Sequence, residues 1–492
     1  MRRLLSKTEQ RKLEIIEILN NSNDYTNISE LTKNFKTSER NLRENLNELI
    51  ELSDILKVDL HHDRVQIDFH KNTGMESLTR YFINHNFSFQ MLEILFFNND
   101  MSVDDLSEQL YVSPSTLYRY FNKIESILST EFNLSFETNP CRVEGNEKEI
   151  RNFYNTFFSE KYGIFEWPFD EVISRSLSHQ LVDDVLDTLD LDFDFSFRRH
   201  MRFISAIALT RYKQGKRLYK NQNETKLDII ERLHADLHSE DYESALDLKV
   251  DQELIYEIFT PFLNDNVLYT PDELIAHAHS NQTISDSYFE ALSICRNLSN
   301  KYNVPIPNQD QLIMGIHSTY YLGSSEPFSH YLVFDKKQQF LDNVQLEFPS
   351  FYDDLQSYVK EFLDNNSKCD PDIVNHMIYT FMTHWEDLFV HLRKTKPKYD
   401  VFFMSNNDYE HATMLASIIS DEFHSQLNAY IGYDISQIKD ICPSGKYDLV
   451  VTNFPYENIY KTPVVCVENY PTPKDILTIR NELVMISSEK QA

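Results

Sequence analysis

The chain has 492 residues, 41% of them hydrophobic and 13% aromatic, with eight glycines and a formal net charge of −30. That length calls for roughly three to five domains, the apolar content excludes a disordered chain, and so few glycines argue against a large glycine-rich nucleotide fold. The acidity is awkward for a nucleic-acid binder, because phosphate contact is driven by Lys and Arg; an acidic soluble enzyme is the plain alternative.

The first dozen residues depart from that balance, with Arg2, Arg3, Lys7, Arg11 and Lys12 against Glu9 alone. The amphipathic segment Leu13–Leu19 then leads into ISELTKNFKTSERNLRENLNEL, from Ile28 to Leu49. A second amphipathic segment, Phe89–Phe97, leads into VDDLSEQLYVSPSTLYRYFNKI, from Val103 to Ile124. A shift of 75 positions superposes the two without a gap, bringing Leu31 onto Leu106, Ser38 onto Ser113, Leu42 onto Leu117 and Leu49 onto Ile124. Each copy spells a short helix, a tight break and a second helix opened by a Ser cap, which is a helix-turn-helix. Pro114 suits the first helical position.

Alternating residues follow each copy, Lys57–Phe69 around His62–Asp63 and Leu134–Val143 around Asn139–Pro140, and predict a small β-wing. In such modules the outer face of the second helix enters the major groove of duplex DNA. The candidate contacts are Ser38, Arg40, Asn41 and Arg43 in the first copy, and Ser113, Ser115, Thr116, Arg119 and Lys123 in the second. Arg reads guanine, Asn reads adenine, and Ser or Thr holds phosphate; Glu39 and Glu44 dilute the first face. A helical hairpin with a solvated face is the bland alternative for a single copy, and the duplication with wings favours double-stranded DNA as partner.

From about Asp170 to Leu392 the pattern is helical with short polar breaks. Thr270-Pro271-Asp272 opens a helix expected to contain His277 and His279, and Asp370-Pro371-Asp372 opens one containing His376 and His384, so a duplicated helical domain is expected. His200, in FSFRRHMRFISAIALTRYKQGKRL, shares a helix face with Phe197, Ile204, Ile207 and Arg211. A lone histidine there is more often a satisfied core residue. With Arg198, Arg199 and Arg202 beside it, the ring is also a candidate phosphoryl acceptor, because guanidinium groups offset the added charge.

Beyond Lys398 the pattern turns to α/β. Tyr399–Met404, Leu427–Ile431, Tyr447–Val451 and Val464–Val467 read as strands, and His411–Phe423 and Ile476–Val484 as helices. The five cysteines, Cys141, Cys295, Cys369, Cys442 and Cys466, show no CxxC spacing, so a reducing cytoplasm is expected and neither a metal site nor a cofactor is. No apolar run reaches ~18 residues, so no membrane span is expected.

The order of these parts resembles the Mga regulators of Gram-positive cocci and the related anthrax toxin activator. The spacing His200-x3-Ile204-x6-Arg211-x3-Gly215 is similar to the first histidine motif of phosphotransferase-system regulation domains; His317, in LIMGIHSTYYL, lacks the Arg and Gly that follow His200. The resemblance implies a mainly α, multidomain chain. Its parts would be winged helix-turn-helix domains over residues 1–70 and 71–165, all-helical regulation domains over 170–283 and 284–395, and an α/β domain similar to a sugar-transporter IIB component over 398–492. It implies a non-enzymatic transcription regulator of virulence or sugar-responsive genes, with activation as the expected direction. Phosphorylation by the general carrier HPr would fall at His200 first, then at His277, His279, His317, His376 or His384, with a homodimer or larger assembly. The IIB chemistry needs a cysteine at the end of the first strand, where this chain has Ser405-Asn406-Asn407-Asp408. An RNA-binding antiterminator and an oligomeric phosphotransfer protein that does not bind DNA are the competing readings.

Overall fold

A computed structural model describes residues 1–20, 25–191, 194–218, 226–237, 240–263, 267–324, 331–365, 371–396, 398–423, 426–434, 436–456 and 462–491. Contacts divide the chain into two compact units. The first holds Met1–Phe289, Ile313–Val344 and Val359–Thr380; the second holds Glu290–Leu312, Gln345–Tyr358 and Phe381–Ala492.

The first unit opens with a 3₁₀ turn, Arg2–Leu4, and α1 (Lys7–Asn20), β1 (Thr26–Asn27), α2 (Ile28–Asn34), α3 (Glu39–Ile50), β2 (Leu56–His61) and β3 (Arg64–Phe69). The strands form an antiparallel sheet in the order β1-β3-β2, with Leu56 opposite Phe69 and His61 opposite Arg64. There follow α4 (Met75–His85), α5 (Phe87–Phe97), α6 (Val103–Gln109), α7 (Pro114–Glu131), the hairpin β4 (Ser135–Thr138) and β5 (Cys141–Glu144), and α8 (Glu147–Lys161).

The repeat is reproduced in backbone detail. α2 and α6 span equivalent residues, and α3 and α7 begin at equivalent residues. Ser38 caps Asn41 N as Ser113 caps Thr116 N. The break places one residue in the left-handed region in each copy, Lys36 at φ 47° and Tyr111 at φ 54°. Leu31, Leu42, Leu46 and Leu49 in one copy, and Leu106, Leu117, Phe121 and Ile124 in the other, are buried. The shared apolar skeleton is therefore the core of each module, which is why it repeats while the outer faces differ.

Behind α8 come α9 (Arg175–Leu189), α10 (Phe195–Lys213), α11 (Leu227–Leu237), α12 (Glu240–Leu246), α13 (Gln252–Phe259) and α14 (Pro271–Ala278). The chain continues through α15 (Gln282–Tyr302), α16 (Gln309–Ser324), α17 (Lys336–Glu347), α18 (Pro349–Asn365), α19 (Pro371–His384) and α20 (Leu388–Thr395). Thr270 caps α14 as expected, its side chain accepting from Glu273 N. His279, expected inside α14, is instead its C-cap, because the helix ends after two turns and His277 O is taken by the His279, Ser280 and Asn281 amides. Asp370, the expected cap of α19, lies outside the described residues.

In the second unit the C-terminal body is a four-stranded parallel sheet in the order β7-β6-β8-β9, from β6 (Tyr399–Met404), β7 (Leu427–Ile431), β8 (Leu449–Thr452) and β9 (Val464–Cys466). α21 (Tyr409–Glu422) and α23 (Pro473–Gln491) bury Leu415, Ile419, Ile479 and Leu483 with Val401 and Phe403 of one face. α22 (Gln437–Ser444), not anticipated from sequence, packs Ile438 and Cys442 with Phe402 and Met404 of the other. Alternate residues of β6 thus enter different cores, so the strand reads as a continuous apolar run.

Candidate nucleic-acid interface and histidine sites

The outer face of α3 presents Ser38, Arg40 and Asn41 as exposed residues, and that of α7 presents Ser113, Ser115 and Arg119, with Thr116 half-buried. The two cap hydroxyls are already engaged. Ser113 Oγ lies 2.9 Å from both Ser115 Oγ and Thr116 Oγ1 while accepting from Thr116 N. Arg40 pairs with Glu44 at 3.1 Å across one exposed helical turn, a contact weak enough for a phosphate to displace.

Two expected contacts are held by the protein itself. Arg43 donates to Glu39 at 2.8 Å and to His62 O at 2.8 Å, and pairs with Asp63 at 3.2 Å. It therefore fastens α3 to the β2–β3 turn. Lys123 donates to Leu4 O at 2.8 Å and Leu5 O at 3.1 Å, and burial lowers its pKa. Its ammonium closes the last carbonyls of the 3₁₀ turn rather than standing in solvent, so α7 is tied to the chain's front. Arg3, bonded to Glu131 at 2.7 Å, reinforces that tie.

The face also includes cations that sequence reasoning did not select. Lys33 and Lys36 beside the helix-turn-helix break, and Arg64 at the start of β3, are exposed. The signal was available: Lys36 sits at the left-handed residue of the repeat, and Arg64 opens the second strand of the wing.

His200 lies on α10 facing α8, with Nδ1 3.4 Å from Asn155 Nδ2, a distance at which the hydrogen bond is weak. Burial first, and then the charge of Arg199, push its pKa down to about 4. The ring is therefore neutral at physiological pH, the state in which a ring nitrogen is nucleophilic. Arg199 stacks on Phe203 and donates to Tyr162 O at 3.0 Å. Arg211 and Gly215, which follow His200 in the motif, serve other ends. Arg211 binds Glu147 on α8 at 2.6 Å. Gly215 stands at φ 77°, just past α10, where a side chain would be strained.

His317 is buried at 1% exposure, with Nδ1 3.0 Å from Ser287 Oγ and its ring 4.6 Å from that of Tyr321. His277, His279 and His384 are exposed and His376 is half-buried. His384 closes α19, with Nδ1 3.1 Å from Thr383 Oγ1.

In the C-terminal body, Ser405 follows β6 with its Oγ 2.8 Å from His411 Nδ1, and His411 Nε2 lies 2.8 Å from Asn469 O. Burial raises the pKa of the Cys442 thiol, and Cys466 is exposed at the end of β9. Among the described residues no group of three or more His, Cys, Asp or Glu is placed to hold a metal ion. No helix among them is long and apolar enough to cross a membrane.

Residues 71–158, which contain α4–α7, the second hairpin and most of α8, match the model of the Mga helix-turn-helix domain. Residues 174–388 match the M protein trans-acting positive regulator (MGA) PRD domain. The chain belongs to the Mga-type regulators. As one, it is a transcription regulator with a DNA-binding helix-turn-helix domain and a PRD region. It is similar to a putative trans-acting regulator of Streptococcus pneumoniae serotype 4, 27% identical over 466 residues that cover 93% of this chain and 94% of the relative. It is also similar to the capsule synthesis positive regulator AcpB of Bacillus anthracis, 20% identical over 97% of this chain and 98% of the relative. With AcpA of the same organism, another capsule synthesis positive regulator, the likeness is 24% over 43% of this chain and 44% of the relative.

Proposed function

We propose that this Mga-type regulator activates transcription of virulence or sugar-responsive genes by laying α3 and α7 against double-stranded DNA. Two modules are read here, residues 1–70 and 71–165, each a winged helix-turn-helix. The observation that carries the reading is the repeat itself. Caps, left-handed breaks and buried apolar positions recur at one offset, while the outer faces stay exposed and polar. The names of the Bacillus relatives favour activation over repression, and the helix-turn-helix match favours duplex DNA over an antiterminator's RNA.

Base-edge contacts are assigned to Arg40, Asn41 and Arg119, and phosphate contacts to Ser38, Ser113, Ser115, Thr116, Lys33, Lys36 and Arg64. Arg43 and Lys123 are assigned to holding the helices in place. Gel-shift titrations at two salt concentrations test this. Arg119→Ala is expected to weaken specific binding by about 1–3 kcal/mol, whereas Lys36→Ala should weaken all sequences alike and reduce the salt dependence. Equal retention of DNA by a chain lacking residues 1–165 would defeat the reading.

Residues 170–283 and 284–395 are read as two regulation domains, of which the first takes a phosphoryl group from HPr at His200. The neutral ring on the helix that packs against α8 supports this, since a charge of roughly −2 added there acts on the last helix of the second front module. Incubation with the general phosphocarriers and mapping of phosphohistidine should give label that falls by more than half in His200→Ala. Unchanged label would move the role to His277, His279, His317, His376 or His384. Residues 398–492 are read as a IIB-like body in which Ser405 stands where the thiol would be, so it serves self-association in a homodimer or larger assembly in the cytoplasm.

A further inference from the structure

We propose that the facing sides of α9 and α10 form a binding site for a phosphate dianion, built by Arg175, His179, Arg198 and Arg202. The two helices pack side by side, and Arg198 Nη1 of α10 meets Asp183 Oδ1 of α9 at 2.6 Å. One turn back along α9 from Asp183 is His179, and another turn back is Arg175; one turn on along α10 from Arg198 is Arg202. In an antiparallel pair these steps keep the side chains opposite one another. The charges behave accordingly. His179 is held below its ordinary pKa by burial, then by Arg202 and Arg175, with Asp183 opposing.

Arg202 is the decisive group. It is only 9% exposed, and its buried Nε–H has no acceptor. Three guanidinium groups, of Arg175, Arg198 and Arg202, act on one another here beside Asp183. Arg198 already engages that carboxylate, and Arg175 is exposed, with one nitrogen donating to Phe165 O at 2.8 Å. The clustered guanidinium charge and the unanswered donor are both met by one compact dianion, which a guanidinium fork binds through two parallel hydrogen bonds. A broad partner such as a nucleic-acid backbone does not reach a guanidinium so enclosed. His179 adds a further ring nitrogen at the rim.

The site lies on a different face of α10 from His200, and it does not depend on that histidine. Calorimetric titration of the full chain with inorganic phosphate, against chloride at equal ionic strength, tests it, with glucose 6-phosphate run in parallel. Saturable binding of one phosphate per chain is expected, with a rise in Tm and a loss of affinity of about tenfold or more in Arg202→Gln. Arg175→Gln, an exposed position, carries the same expectation should Arg202→Gln fail to fold. His200→Ala should bind phosphate as the parent does, which separates this site from the phosphoryl-transfer reading. Tighter binding of the sugar phosphate assigns the site to a phosphate ester; tighter binding of inorganic phosphate assigns it to the free ion. No saturable binding by the parent, or undiminished binding by both arginine variants, overturns the proposal.

Discussion

Arg151→Met is expected to lower the unfolding free energy of the first unit by about 3–5 kcal/mol, the usual cost of breaking a buried ion pair from one side. Arg151, on α8, donates to Glu147 at 2.9 Å, to Glu257 Oε2 at 2.7 Å and to Glu257 O at 2.8 Å. Glu257, on α13, has a side chain only 1% exposed, and Arg211, on α10, completes the group by pairing with Glu147. Two arginines and two carboxylates therefore bolt the last helix matched by the helix-turn-helix model to two helices of the PRD region. Removing Arg151 leaves the Glu257 carboxylate, among the described residues, with Leu218 N as its remaining hydrogen-bond donor, at 2.9 Å.

Arg151→Met combined with Glu257→Gln removes the stranded charge and keeps an acceptor for Leu218 N, so the double variant should recover about half of the loss. Urea unfolding followed by circular dichroism and Trp167 fluorescence reads both. A loss under about 1 kcal/mol in Arg151→Met would show that water reaches the network and that the bolt is weak. The same variant should also weaken the response of DNA binding to the proposed phosphorylation at His200, because α8 loses its tie to α13 and is held to α10 in this network by Arg211 and Glu147.

A second large effect is expected at Glu160. Near the end of α8 its carboxylate accepts three successive amides: Leu332 N at 2.5 Å, Val333 N at 3.1 Å and Phe334 N at 3.0 Å. Three backbone donors turned to one anion form a nest, and Leu332 and Val333 are buried behind it. Glu160→Ala leaves these donors without their acceptor, at a cost of about 3 kcal/mol, and Glu160→Gln, which keeps one oxygen, should lose about half as much. Burial outweighs the three amides and raises the carboxyl's pKa. The folded chain thus holds this proton more firmly than the unfolded chain. The contribution is full below the ordinary carboxylate range and is lost as pH rises through the raised value. Unfolding curves across mildly acidic pH should show that slope in the parent and not in Glu160→Gln; a slope that persists in the variant assigns it to another group.

Much of this was legible in the amino-acid order because it is local. The repeat from Ile28 and from Val103 shows itself through helical apolar spacing and Ser caps, and both wing turns fall at the expected residues. β6 and β7 begin and end as read, since parallel strands buried on both faces are short continuous apolar runs. α22 escaped notice because Pro443 and the turn-forming residues around it mask a short helix. His279 was placed inside α14 because a cap with Pro at the first position marks where a helix starts and not where it stops.

Sequence by itself determined most of the helices and strands it was read for, α22 excepted, that two front modules share one plan, and which side chains have the chemistry to read bases or accept phosphoryl groups. Those properties depend on neighbours within a turn or two. Tertiary structure decided which of these side chains are available. Arg43 and Lys123 look like DNA contacts in one dimension, but carbonyls 19 and 119 positions away take their hydrogen bonds. Arg211 looks like His200's companion, yet Glu147, 64 positions earlier, claims it. Arg202 and His179 meet only because α9 folds back along α10. A charged group's role is set by the partner that desolvates or neutralises it, and that partner is chosen by the fold.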